Sequence, residues 1–174
     1  MSSRQPRLVA VLMGGPSAER EVSLSSGRAC AAALRDHGYE VVEVDAGADL
    51  ATRLTMLAPD VVFNALHGRW GEDGCVQGIL EWLQIPYTHS GVLASALAMD
   101  KEIAKGIVKK VGVPVAEAKV MDRHDIGSAH PMKTPYVVKP VSEGSSFGVV
   151  IVDSNNAHPP ASITSDDWQY GDRV

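Results

Sequence analysis

The chain has 174 residues, 45% of them apolar, and a net charge of −5 with acidic and basic residues interspersed. That length suits one domain, or one and a part, with enough apolar side chains for a core, and the lack of a basic cluster argues against a nucleic-acid surface. No apolar run approaches the length of a membrane span, and the two cysteines, Cys30 and Cys75, show neither a metal-ligand spacing nor a disulfide framework. A cytoplasmic, reducing location is therefore expected, with both thiols acting as small hydrophobes.

Residues 1–6 are polar and expected to fray. The continuous apolar run 7–13 predicts a strand buried on both faces of a parallel sheet. It ends in Gly14-Gly15-Pro16-Ser17-Ala18-Glu19-Arg20-Glu21, after which the spacing of Val22, Ala29, Cys30, Ala33 and Leu34 predicts a helix over 22–37, stopped by Gly38. Strand, glycine-rich turn and helix form the first unit of a Rossmann-like domain, whose helix N-terminus attracts anions. The G-x-G-x-x-G and P-loop patterns are both missing, so neither of those nucleotide motifs is indicated. Glu19 and Glu21 have two readings. Acidic residues favour a helix start, but Glu19 also lies towards the carboxyl end of the strand, where ligands bind in open α/β sheets.

Residues 39–45 read as a second strand, 50–57 as a short helix and 60–66 as a third strand. The third strand runs into His67-Gly68-Arg69-Trp70-Gly71-Glu72-Asp73-Gly74, a second glycine-rich loop. A helix over 76–83 and a short strand over 85–88 follow. The alternation predicts an α/β architecture with a parallel sheet and both loops on one edge. His67 is either a packed strand-end histidine or a site residue. Capping accounts for Asp73, and no repeated spacing supports a metal site at His67, Glu72 and Asp73, so no metal ligand is named.

The apolar, alanine-rich 92–99 predicts a buried helix, and Asp100 caps a new one that ends near Gly112. Lys101, in its first turn, faces the positive end of the helix dipole, a conflict that a nearby anion would relieve. The pattern then changes to short strands at 116–121, 136–140 and 149–152 with hairpin-type links. Two domains are accordingly expected, a Rossmann-like one over 1–98 and an α+β one over 99–174. The link between the last two strands is Lys139-Pro140-Val141-Ser142-Glu143-Gly144-Ser145-Ser146-Phe147-Gly148. It reads either as a polar hairpin or as a phosphate cradle, with small residues supplying N–H groups and hydroxyls and Lys139 a compact charge. Pro159-Pro160 forbids a helix interior in the tail. Residues 165–168 offer one helical turn, and a strand is beginning as the chain reaches Val174.

These motifs together resemble D-alanine–D-alanine ligases. The likeness rests on Gly14–Leu24 as quoted, on Ala65-Leu66-His67-Gly68 with Gly71-Glu72-Asp73-Gly74, and on Pro86-Tyr87-Thr88 with Ser90-Gly91-Val92, Ala94 and Ser95. Met99-Asp100-Lys101, and Lys139-Pro140 with Glu143-Gly144-Ser145-Ser146 and Gly148, continue it and are shared with the wider ATP-grasp superfamily. The resemblance implies ATP-dependent joining of two D-alanines through an acyl phosphate, for peptidoglycan precursors. It implies that Lys101 and Lys139 contact the ATP phosphates while Glu143, Gly144, Ser145, Ser146 and Gly148 form the closing loop. Glu19 would hold the ammonium of the first D-alanine, Ser145 would join the hydrogen bonds around it, and His67 would orient it. Homodimerisation through the N-terminal domain is similarly implied.

Family members are nearly twice as long. The Mg2+ carboxylates, a catalytic arginine and much of the adenine pocket are expected in the part corresponding to sequence beyond residue 174, so the chain alone is expected to be inactive. A ligase using D-lactate or D-serine second, and a non-catalytic binding or dimerisation module, are the alternatives.

Overall fold

A computed structural model describes residues 8–127 and 129–174; the polar start expected to fray and Arg7 lie outside them. The chain forms two compact units, 1–97 and 98–174.

The first unit alternates strand and helix: β1 (Leu8–Met13), α1 (Arg20–Asp36), β2 (Glu40–Asp45), α2 (Leu50–Leu57), β3 (Val61–Asn64), α3 (Cys75–Trp82) and α4 (Val92–Met99). The strands form a parallel sheet in the order β2-β1-β3, with Ala10 beside both Val42 and Val62. The uninterrupted apolar run of β1 follows from this central place, because alternate side chains enter different cores. Ala10 and Leu12 pack with Leu50 and Leu54 of α2 and Val76 and Leu80 of α3. Val9, Val11 and Met13 turn the other way, to Ala31, Leu24 and Leu34 of α1. Leu12, Leu54 and Leu80 are wholly buried, so truncating any of them to alanine costs about 2–5 kcal/mol.

The predicted helices 50–57 and 92–99 coincide with α2 and α4, and Gly38 follows the end of α1, donating its N–H to Arg35 O at 2.9 Å. The strand expected at 85–88 is reduced to one parallel bridge, between Val62 and Tyr87. Pro86 accepts from Val62 N–H but has no N–H to continue a ladder. The helix expected to be buried, α4, is largely exposed: Ser95 is its only buried residue, while Val92 and Leu93 face solvent.

The second unit opens with α5 (Lys101–Lys110), capped as expected by Asp100, whose carboxylate accepts from Glu102 and Ile103 N–H at 3.0 Å each. β4 (Tyr136–Val138) and β5 (Val150–Val152) form the predicted antiparallel pair, with Val137 opposite Ile151. One face of the pair packs Tyr136, Val138 and Val152 with Ile126, Ile163 and Val174. The strand expected over 116–121 does not form. Pairing falls one step later, where Met121 and Val174 exchange both backbone hydrogen bonds at 3.0 Å and Asp122 bridges Arg173. Residues 172–174 pair antiparallel with 121–123. The helical turn expected at 165–168 is a single turn closed by Trp168 N–H on Ser165 O; the regular turn lies at Ala161–Ile163 instead, directly after Pro160. Buried Arg123 ties the tail down through Asp172 Oδ1 at 2.8 Å and the carbonyls of Ile163 and Ser165. Among the described residues no helix is long and apolar enough to cross a membrane.

Candidate functional site

Each unit carries part of the predicted set. In the first, β1 and β3 are neighbours running the same way, so the loops after them emerge together at the carboxyl edge of the sheet. Ser17 from the first loop donates to His67 O at 2.8 Å in the second, and Ser23 of α1 donates to Ala65 O at 2.7 Å while accepting from Gly14 N–H at 2.9 Å. These bonds lock the two loops into one platform.

Glu19 stands at the start of α1 but makes no side-chain capping hydrogen bond. Its side chain is 2% exposed and lies over the second loop: a Cβ added to Gly68 would meet Glu19 Oε1 at 2.8 Å. Glycine at 68 is what lets the carboxylate approach that backbone. His67 follows directly on this edge. Its Nε2 lies 3.0 Å from Ser26 Oγ of α1, and its Nδ1 lies 4.0 Å from Glu72 Oε1. Glu72 also accepts from Gly68 N–H at 2.6 Å, so its carboxylate holds the loop while facing the ring. Asp73 is occupied in the turn, accepting from Trp70 N–H at 2.9 Å and Cys75 N–H at 3.1 Å. Sequence reasoning missed Ser17, Ser26 and the contacts of Glu72, because a loop serine, a helical serine and an acid before a helix carry no distinctive spacing.

In the second unit, Lys101 points back to the loop after β4. Its ammonium donates to Val141 O at 3.2 Å and to Glu143 O, and its N–H donates to Val141 O. Burial, and next the charge of Lys139, push the Lys101 amine below its ordinary value. Two cations held together in a partly buried place favour an anion there. Both lysines line a cavity of about 110 Å³ whose walls include Met121, Ile126, Met132 and Tyr136. The loop itself turns through Ser145 and Ser146, at φ 44 and 63, and Gly148, at φ 66. Non-glycine residues in this left-handed region hold strain of the kind found at ligand-binding turns. Lys101, Lys139 and Glu143 are thus brought together, and Glu143-Gly144-Ser145-Ser146 is the turn that follows them. Among the described residues no group of three or more His, Cys, Asp and Glu side chains could hold a metal ion.

The first unit thus offers a parallel α/β platform with a buried carboxylate at its strand ends, and the second a lysine-flanked cavity beside a strained glycine-serine turn. A family model described as "D-ala D-ala ligase N-terminus" matches residues 43–90. The D-alanine–D-alanine ligase of Sinorhizobium medicae is 67% identical over 174 residues, covering 100% of this chain and 56% of its own length. The crystal structure of the D-alanine–D-alanine ligase from Bacillus anthracis superposes with a TM-score of 0.69 at 36% identity, covering 84% of this chain and 49% of that one. The same enzyme complexed with ATP gives a TM-score of 0.69 at 34% identity, covering 86% and 51%. The chain is similar over its full length to D-alanine–D-alanine ligases, and it spans about half the length of the curated relatives it matches.

Proposed function

We propose that this chain carries the first-substrate and phosphate-binding portion of an ATP-dependent D-alanine–D-alanine ligase. The observation that carries the reading is the pairing of Lys101 with Lys139 at an apolar cavity, directly before the glycine-serine turn. That combination suits a nucleotide: apolar walls for the base, two ammonium groups and turn N–H groups for the phosphates.

The chemistry asks for these groups in a definite order. An amine does not displace oxygen from a carboxylate, so the carboxylate of the first D-alanine attacks the γ-phosphorus of ATP. An acyl phosphate forms and ADP leaves. The amine of the second D-alanine then adds to the acyl carbon, and the tetrahedral intermediate collapses to dipeptide and inorganic phosphate. Phosphoryl transfer needs charge neutralisation and alignment above all. Lys101 and Lys139 neutralise the phosphates, and the loop 143–148 closes over the transferring group and keeps water from the acyl phosphate. Glu19 pairs with the ammonium of the first D-alanine, Ser145 joins the hydrogen bonds around that substrate, and His67 orients it. Mg2+ would offset phosphate charge. By the likeness to the family, its carboxylates are placed in the part of the relatives that this chain does not span. The product would serve peptidoglycan synthesis in the cytoplasm. The exposed apolar side of α4 supports a homodimer built on the first unit.

The test is a chimera joining residues 1–174 to the remainder of the Sinorhizobium medicae relative. The chimera should release phosphate from ATP only when D-alanine is present. Glu19→Gln should raise the KM for the first D-alanine strongly while ATP binding, read by calorimetry, persists; Lys139→Ala should weaken ATP binding itself. A folded chimera that binds ATP yet makes no dipeptide would refute the ligase reading and favour a binding module. Product made only with D-lactate or D-serine as second substrate would reassign the specificity.

A further inference from the structure

Ser26 lies on α1 one turn after Val22, and its hydroxyl oxygen has three polar neighbours. They are Val22 O at 3.0 Å, Ser23 O at 3.3 Å and His67 Nε2 at 3.0 Å. A hydroxyl has one proton to give, and the two carbonyls can only accept. Ser26 therefore has two arrangements. It either donates back to the helix, as helical serines commonly do, and accepts from a protonated Nε2, or it donates to the lone pair of an unprotonated Nε2.

The opposite ring nitrogen decides which arrangement suits the neutral imidazole. Nδ1 faces Glu72 Oε1 at 4.0 Å, and a carboxylate favours a proton over a lone pair on the nitrogen turned towards it. The other charged groups near this loop do not oppose that choice. Glu19 lies against Gly68 and is also acidic, while the Arg69 guanidinium sits over the Trp70 ring, 4.7 Å from its centroid. The neutral ring is then the Nδ1–H tautomer, and the lone pair of Nε2 takes the Ser26 proton.

We infer that Ser26 is a positioning residue for His67, a two-way hydroxyl that donates to Nε2 of the neutral ring and accepts from Nε2–H once that nitrogen is protonated. In the second state the hydroxyl proton turns to Val22 O, already at hydrogen-bonding distance. His67 can thus gain or lose a proton at Nε2 with no heavy atom displaced. The inference deepens the proposed substrate pocket, in which His67 orients the first D-alanine, but the hydroxyl switch itself is independent of the ligand.

The experiment is long-range proton–nitrogen NMR of the 15N-labelled 174-residue chain across the titration of His67, with the signal assigned by comparison with His67→Gln. Above the titration, Nδ1 should show a pyrrole-type shift and Nε2 a pyridine-type shift. Ser26→Ala, checked by circular dichroism for an intact α1, should move both nitrogens towards intermediate values as the tautomers mix, while Ser26→Thr should restore the unequal pair. A wild-type ring in the Nε2–H form would overturn the inference, as would unchanged nitrogen shifts in Ser26→Ala. The wild-type spectrum decides even if the alanine variant fails to fold. D-alanine titration of the chimera is a separate measurement: its failure with the tautomer as described sinks the substrate reading and leaves the switch standing.

Discussion

Gly148→Ala separates the two constraints on the loop after β4. The residue sits at φ +66, and an added Cβ would stand 2.6 Å from Tyr170 Cδ2 and 2.7 Å from Pro140 Cγ. Carbon atoms prefer about 3.5–4.0 Å, so both rings must give way. The left-handed backbone alone costs an L-residue about 1–2 kcal/mol, and forced overpacking adds about 1–3 kcal/mol. The expected loss is therefore about 2–5 kcal/mol in urea unfolding of the second unit. Gly112→Ala is the control, because Gly112 has φ +85 but open space around its Cβ direction, leaving only the backbone cost of about 1–2 kcal/mol. The difference between the two variants isolates the steric contribution. Tyr170→Ala should recover part of it, since one of the two obstructing rings is then gone. If Gly148→Ala costs no more than Gly112→Ala, or if Tyr170→Ala brings no recovery, the packing argument is wrong.

His89 is an exposed non-glycine residue at φ +92, so His89→Gly should stabilise the first unit by about 0.5–1 kcal/mol, the relief of left-handed strain less the extra entropy of glycine; a lower unfolding midpoint would contradict this. Asp45 is held at about 2, from an ordinary 3.8, first by its hydrogen bond from Arg20; burial opposes this next, and the Gly15 N–H and the Arg20 and Arg53 charges add to the lowering. Because the folded value is the lower one, the pair's contribution is present above about pH 4 and is lost as pH falls towards about 2. Both side chains are nearly half exposed, so that contribution is small. Urea midpoints of wild type and Asp45→Asn should differ slightly near neutral pH and converge in acid; a gap that widens in acid would reverse the sign. Lys101→Met in the chimera should cost a charge-assisted hydrogen bond to phosphate, about 1.5–3 kcal/mol or roughly tenfold or more in ATP affinity, and unchanged calorimetry would remove Lys101 from the phosphate site.

The sequence by itself determined the alternation of the first unit and the positions of its loops. An unbroken apolar run such as β1 has only one comfortable place, the middle of a parallel sheet with helices on both faces, and Gly38 and Asp100 mark helix ends through local backbone chemistry that needs no distant partner. The same local logic found the β4–β5 hairpin and the glycine-serine turn. Tertiary structure decided what depended on partners far along the chain. Residues 116–121 have strand-like composition, but the described ladder lies at 121–123, where residues 172–174 pair with it. The alanine-rich α4 reads as buried, yet no described element covers most of it. Glu19 could have been a helix cap, and its carboxylate instead lies on the loop after β3 because the parallel register of β1 and β3 puts Gly68 beneath it. Lys101 was legible as a charge in an unfavourable first turn. That its ammonium grips the carbonyls of Val141 and Glu143, forty residues on, follows only from how the second unit closes. Short-range spacing specifies which groups are available, whereas long-range packing sets which of them meet.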